Sequence, residues 1–527
     1  LFTDDRGAIE IDLSSWVLNT DSTVYAYYMF NNCANLTTVY VSEKWNYTRL
    51  SATGGYGLFL NCRKLVGANG VKWNADRAYQ WARYDHASQG YFSAKATKGT
   101  VQWTMNGAGE LVLRPLESNS GYLTTFSTLD VTASTPNYTT YIPWYNIKSN
   151  VRSFRIAGNE DGNVNNSIYV QNGSALSNMF RECVNMTTCN LAGLDTANSI
   201  SGYKMFYKCS SLTSLDMSGF DTSKMDNMES MFEGCSKLTA LRNMNFSTVN
   251  VLYFTKMFSG CVSLSTLNVS NEEFDTSNCL NMQKMFEKCM RIAALDISGW
   301  TFNSVQNTNM MFSNATSLAT LVTPTTWNMS QNGDMGYMFD NCYSLQSLNL
   351  SGLRLSNVAN MSYCWRYCKS LVSIDLPDGI STSALTSTRE MFLGCYAMTH
   401  ANVSSLTVNN VTDMQKMFEE CTALVEVDLA DWTLRKVAKS VNISRMFYNC
   451  RSLNTVFVGS GWVYDNIYAS SANVFDNCTS IKGASGVTYT NGAVTNAKID
   501  AYLSAKQRSG SVYWSIDGNG HLELSPR

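Results

Sequence analysis

Three histidines, His86, His400 and His521, are all the imidazole this chain holds, and they lie far apart in sequence. Acid–base, nucleophilic and metal chemistry that leans on histidine is therefore starved from the start. Carboxylate pairs hydrolyse glycosides when two of them stand about 5 to 9.5 Å apart in a cleft. Here the acids recur in step, as Asp216 and Asp296 do, which points to repeated geometry rather than to one site. The sixteen cysteines include no Cys-x-x-Cys, and Cys364 with Cys368 has no His or acidic companion nearby, so no zinc site is expected. Recurrent Met-Phe pairs at helical spacing read as core filler rather than as a copper site. A phosphate loop with its Lys, a Gly-x-Ser-x-Gly elbow and a His-Glu-x-x-His run are all missing. The reading is of a chain without catalytic residues, cofactor or metal, and so not an enzyme.

The elements that carry these residues come from a chain of 527 residues, too long for one ordinary domain unless it is a repetitive array. With 45% hydrophobic and only 15% charged residues it can bury a large core. Thirty-nine basic against 41 acidic residues leave a formal charge of -2 and no footprint for nucleic acid or anionic membrane. No apolar run approaches the roughly 20 residues of a spanning helix.

Self-similarity dominates the sequence. A Met-Phe-x-x-Cys-x-x-Leu-x-x-Leu pattern starts at Met179, Met205, Met231, Met257, Met285, Met311, Met338, Cys364, Met391, Met417, Met446 and Val474, in steps of 26 to 29 residues. In the unit beginning at Met205, Leu215 and Met217 alternate with Ser214 and Asp216, the period of a strand. Met225, Met228, Met231, Phe232 and Cys235 recur at threes and fours, which predicts a helix capped from Phe220-Asp221-Thr222-Ser223. Stacked strand–turn–helix units bury what one unit cannot. The expected fold is an α/β leucine-rich-repeat solenoid of about twelve coils, strands on one face and helices on the other, between small β-rich caps. Thirteen cysteines share one slot of the repeat and the other three, Cys189, Cys279 and Cys364, fall on apolar sites, so all sixteen are expected in the core.

A longer period lies above the first. Residues 99–115 match 510–526, each with a Trp, a Gly-x-Gly turn and alternating Leu, which predicts two hairpins. Residues 15–98 resemble 431–509 in the same way, so the frame repeats at about 411 residues. The expected organisation is 1–98 as the tail of one repeat block with its cap, 99–175 as a β-rich flank, 176–480 as the solenoid, 481–509 as a C-terminal cap and 510–527 as the opening of a following block. A segment of a longer tandem protein is implied. Asp76 to Tyr84 reads as a short amphipathic capping helix.

Outward strand positions need not serve the core, so they are the candidate binding residues. One column holds Asp216, Arg242, Asp296, Asp375, Asn402, Asp428 and Phe457; its neighbour holds His400 and Glu426. The patch of His400, Glu426, Asp428 and Phe457 is the most individual, with Trp462 and Tyr464 as possible exposed aromatics. Solvated strand positions, a concave face for protein or glycan and a carboxylate-bound cation all remain open for these columns.

The units, with LTSLDMSGFDTS followed by NMESMF and GC or KC, resemble the BspA-like leucine-rich repeats of bacterial surface proteins. The likeness covers nearly the whole chain; Ala315 for the repeat Cys, Cys364-Trp365 for Met-Phe and the sparser matches in 1–62 depart from it. It implies secretion to the cell surface and non-enzymatic adhesion to an extracellular protein or glycan. Adjacent tandem units and further copies of the chain are the other expected partners. A stalk or filament segment is the alternative.

Overall fold

The computed structural model describes residues 1–18, 22–42, 45, 49–50, 57–67, 72–73, 82, 92–98, 101–116, 120–123, 144–159, 166–170, 175–244, 246–270, 274–434, 441–463, 466–467, 471–483, 489, 502–509, 512–516 and 522–526. Two compact units divide the chain, Leu1–Phe246 and Ser247–Arg527. The capping helix expected at Asp76 to Tyr84, apart from Ala82, lies outside the described residues, as does Tyr464.

In the first unit a seven-stranded sheet runs β1 (Glu10–Leu13), β2 (Thr38–Val41), β3 (Phe92–Lys98), β4 (Val101–Met105), β5 (Glu110–Pro115), β7 (Ser153–Ile156) and β9 (Thr188–Cys189). Strands β6 (Ser120–Leu123), β8 (Ser167–Val170) and β10 (Leu194–Asp195) form a second sheet; β11 (Ser214–Asp216) and β12 (Ala240–Arg242) pair in parallel. Among the described strand pairs of this unit only β3–β4 and β4–β5 are antiparallel, and the β4–β5 hairpin turns at Gly109. A Cβ on Gly109, at φ +81°, would fall 2.3 Å from the Asn150 carbonyl oxygen, so only glycine fits.

The second unit has parallel pairs β13 (Ala294–Asp296) with β14 (Thr320–Val322), and β15 (Trp327–Asn328) with β16 (Leu353–Arg354). A seven-stranded sheet follows: β17 (Ser373–Asp375), β18 (His400–Asn402), β19 (Glu426–Leu429), β20 (Thr455–Val458), β21 (Ser504–Ser509), β22 (Val512–Ile516) and β23 (Leu522–Pro526). Its first five strands are parallel and its last three antiparallel to one another.

The helices expected on the second face are replaced by turns, and the α/β leucine-rich-repeat expectation is corrected to a β-solenoid. Among the described residues the longest helical segment is the 3-10 run Tyr145–Asn150. The reason lies in the backbone around Met-Phe-x-x-Cys. Lys204 and Lys208, one before Met205 and one before Cys209, sit at φ +53° and +57°, and the same two slots are left-handed in coil after coil. A helix needs every residue right-handed, with each N–H bonded four residues back. Here the N–H groups of Met205, Tyr207 and Cys209 reach only three residues back, to Gly202, Lys204 and Phe206. Those of Lys204, Phe206 and Lys208 instead cross to the next coil, donating to Glu229, Met231 and Glu233 at 3.0, 2.9 and 2.7 Å. Spacing by threes and fours is thus produced by successive three-residue turns, which point Met, Phe and Cys into the core as a helix would.

What stacks inside is regular. Phe180, Phe206 and Phe232 stack at 5.3 and 5.5 Å in the first unit; Phe258, Phe286, Phe312 and Phe339 stack at 5.6, 5.4 and 5.3 Å in the second. All sixteen cysteines are free thiols, buried except for half-buried Cys189. A third line of contact is a row of single-residue parallel bridges, Asn281, Asn307, Asp334, Asn360, Ser387, Asp413 and Asn442, running along the second unit. Side chains of that row seal the turn after them, as when Asn281 Oδ1 accepts from the Gln283 N–H at 2.9 Å.

Candidate binding face

Strand alternation sets the outward columns. Leu215 is buried between half-exposed Ser214 and exposed Asp216, and the register Asp216↔Arg242 carries the column to the next coil. Most polar side chains of this column have a local duty. Asp216 Oδ1 accepts from the Ser218 N–H at 2.9 Å and from the Asn243 amide at 2.9 Å. Those two donors, Asn243 first, hold its carboxyl below the usual range. Asp296 and Asp428 likewise accept from the N–H two residues on, each at 2.9 Å, and Asn402 from the Ser404 N–H at 3.3 Å. The column is thus a line of Asx turns that end each strand.

Asp375 departs from it. Two residues on stands Pro377, which has no N–H to give. Its carboxylate is exposed and lies 3.5 Å from His400 Nε2 on the adjoining strand.

The structure brings six of the nine predicted residues together in the second unit. Asp375, His400, Asn402, Glu426, Asp428 and Phe457 lie on the neighbouring strands β17 to β20, with His400 opposite Glu426, Asn402 opposite Asp428, and Asp428 opposite Phe457. Phe457 is not an exposed aromatic: it is 5% exposed, because β21 pairs along the far side of β20 at Phe457↔Ser504. Asp428 is also buried. Trp462 is half-buried and stacks on Trp432 at 6.4 Å. Asp296 stands apart on β13, and Asp216 with Arg242 belongs to the first unit.

A groove of about 710 Å³ opens on the strand face of the first unit, lined by residues of β5, β7 and β9 and by the segment 213–218. Of the predicted residues only Asp216 lines it. Sequence reasoning missed Glu110 and Arg155, which line it as an ion pair at 2.6 Å. They lie in the flank, 45 residues apart, outside the Met-Phe-x-x-Cys coils whose repeat marks the outward columns. Thr188, Asn190 and Ser214 also line it, and the repeat was the available signal, since Thr188 and Asn190 stand 26 residues before Ser214 and Asp216 in the same outward columns.

On the turn side of the second unit, charges form a chain from coil to coil. Arg366 grips Asp340 with Nε–Oδ1 at 2.8 Å and Nη2–Oδ2 at 3.1 Å and lies 3.5 Å from Glu390; Lys416 lies 3.7 Å from Glu390; Arg445 pairs with Glu419. Burial raises the Asp340 and Glu419 carboxyls, opposed by these cations. Among the described residues, no group of three or more His, Cys, Asp or Glu is arranged to hold a metal ion.

The family model described as "Mycoplasma protein of unknown function, DUF285" matches residues 174–294, 244–351, 292–376 and 359–487, together more than half of the chain. The chain belongs to the DUF285 family. This assignment, with turns where helices were expected, overturns the resemblance to BspA-like leucine-rich repeats. No curated protein matches this DUF285 chain. Among solved structures it is similar to that of a TLR13–ssRNA13 complex, with 14% identity over 86% of this chain and 67% of that one and a TM-score of 0.25. It is also similar to that of the Toll–Spatzle complex of Drosophila, with 11% identity over 73% of this chain and 56% of that one and a TM-score of 0.22. Likeness at that level assigns neither shape nor partner. The DUF285 chain spans about two thirds of the first and just over half of the second.

Proposed function

We propose that this DUF285 protein is a non-enzymatic binding scaffold that meets a protein or glycan partner on its exposed strand face, outside the cell. The observation that supports this most is the polar groove of the first unit, where hydroxyl and amide side chains of successive coils stand beside the Glu110–Arg155 pair. Such a surface offers many modest hydrogen bonds over an open area, as macromolecular recognition uses. Among the described residues no helix is long and apolar enough to cross a membrane. The test is the full chain applied to a glycan array and to a panel of immobilised extracellular proteins, alongside a Ser214→Tyr variant that fills the groove. A partner bound by the parent and lost by the variant supports the reading; no partner, or one bound equally by both, overturns it. Surface biotinylation of intact cells tests the location.

The stalk reading draws on a different observation. In the first unit one sheet passes without a break from β2 through the β3–β4–β5 meander into β7 and β9, joining two sets of coils by backbone hydrogen bonds. Such a junction resists bending, and single-molecule stretching of the chain would measure it.

A further inference from the structure

The second unit carries a groove of its own, of about 550 Å³, at the ends of three successive parallel strands. Residues 378–381 lead away from β17, residues 404–409 from β18, and Asp431 with Thr433 from β19. Ile380, Leu406 and Val408 are buried at its base, and each of the three turns adds a hydroxyl, from Ser381, Ser405 and Thr433.

The repeat alone does not make this groove. The slot that follows the strand holds Gly219, Gly299 and Gly352 in other coils, but Ser405 and Asp431 here. The coil of β17 keeps the glycine as Gly379 and inserts Asp378 before it. One residue more therefore separates Asp375 from Ile380 than separates Asp216 from Phe220 or Asp428 from Trp432. Gly379 has φ +68° and open space where a Cβ would stand, so nothing packs on that side of the inserted turn. Asp378 is exposed and has no hydrogen-bond or ion-pair partner among the described residues. The Ser405 hydroxyl lacks a hydrogen-bond partner too, which leaves it a donor and an acceptor to offer. Asp378 and Asp431 are both exposed, and the lining holds no Lys, Arg or His to balance them.

We propose that this groove seats an extended basic segment of a partner polypeptide, with one arginine on Asp378 and a second on Asp431. Charge complementarity selects a cationic occupant. A guanidinium offers five donors in a fork that fits a carboxylate and the hydroxyl oxygens around it. The turns of Asp378 and Asp431 are two coils apart, roughly 10 Å. An extended chain sets residues i and i+2 on one side about 7 Å apart, a difference that two flexible arginine stems span. A sugar fits less well, because no aromatic ring lines the groove for it to stack on. The site belongs to the second unit, and its reading does not depend on that of the first-unit groove.

The test titrates fluorescein-labelled Gly-Ser-Arg-Ser-Arg-Ser-Gly into the full chain by fluorescence anisotropy. Saturable binding that weakens as salt rises is expected. Asp378→Lys and Asp431→Asn should each weaken it about tenfold or more. Asp378→Lys should melt with the parent, since the side chain it replaces holds nothing in the fold. The Ser214→Tyr chain should bind the peptide as the parent does, which keeps this outcome distinct from that of the first-unit groove. Absence of binding up to roughly 1 mM overturns the proposal. Equal binding by the Asp378→Lys chain, or of a peptide with glutamate in place of arginine, does so too. A chitosan oligosaccharide that binds the parent but not Asp378→Lys, where the peptide fails, would overturn the polypeptide occupant in favour of an amino sugar.

Discussion

The thiol of Cys235 lies 3.1 Å from the carbonyl oxygen of Phe206, one coil back, and donates to it. The same contact recurs as Cys209 to Phe180, Cys289 to Phe258, Cys342 to Phe312 and Cys421 to Phe392, at 3.0 to 3.2 Å. The cysteine slot therefore takes a small side chain that fills the core and gives one weak donor to a carbonyl that already accepts a turn N–H, as Phe206 does from Cys209, and so uses its second lone pair.

Burial pushes the Cys235 thiol up from its ordinary 9.0 to about 12, against the smaller pull of its backbone partner. The folded chain therefore keeps a proton that the unfolded chain releases as pH passes 9. Stability from this group is complete below pH 9 and falls between pH 9 and 12 by about 1.4 kcal/mol per pH unit. Cys235→Ala should lose about 1 kcal/mol at pH 7 and show a shallower alkaline fall, read by urea denaturation at pH 7 to 10. Ala315 already occupies this slot in one coil, so the variant should fold. Parallel pH curves for parent and variant would refute the assignment.

Lys288 has φ +61°, is exposed, and its N–H donates to Ser313 at 2.8 Å in the next coil. Left-handed backbone costs a β-branched residue about 1 to 2 kcal/mol and glycine almost nothing. Lys288→Ile should lose stability by that amount, while Lys288→Gly should hold or gain slightly. If this segment were helical the order would reverse, since glycine weakens a helix by about 1 kcal/mol. Thermal melts of the two variants decide between these backbones.

The coil length, the strands and the core were legible because apolar residues mark them: Leu215 against Ser214 and Asp216 is an unambiguous alternation. The turns were not, because Met225, Met228, Met231, Phe232 and Cys235 fit a helix and a run of three-residue turns equally well. A signal was present one residue before the cysteine. Gly234, Gly260 and Gly394 alternate there with Asn314, Asn341, Asn449 and Asn477, the residues that best tolerate left-handed backbone, and all are left-handed. The slot before Met carries Lys204, Tyr337 or Glu390, which announce nothing. The groove was half legible: Asn190 and Asp216 follow from the columns, but the Glu110–Arg155 pair depends on β5 meeting β7, a pairing no local pattern encodes.

Arg366 is the centre of the charge chain, holding Asp340, which is 4% exposed, and lying 4.8 Å from the Tyr363 ring. Removing it leaves a buried carboxylate without its bidentate partner. Arg366→Met should cost about 2 to 3 kcal/mol. Adding Asp340→Asn to that variant should recover part of the loss, because the uncompensated charge is then gone. A double variant as unstable as the sum of the singles would show that Asp340 is held by something other than Arg366.

Asp296 and Asp375 occupy the same column, yet they should answer mutation differently. Asp296 seals its turn through the Ser298 N–H, so Asp296→Ala should cost about 1 kcal/mol. Asp375 faces Pro377, has no such donor, and shares only a 3.5 Å approach with His400 in an exposed setting. Asp375→Ala should leave stability within about 0.5 kcal/mol. Side chains that the fold does not need are the ones free to serve a partner, so the double variant Asp375→Ala, His400→Ala separates binding from folding. Under the scaffold reading of this face, a partner docking on β17 to β19 is lost from that variant with its melting temperature unchanged. If binding falls only in variants that also melt earlier, such as Asp296→Ala, the column's polar residues serve the turns alone and the patch is not a contact.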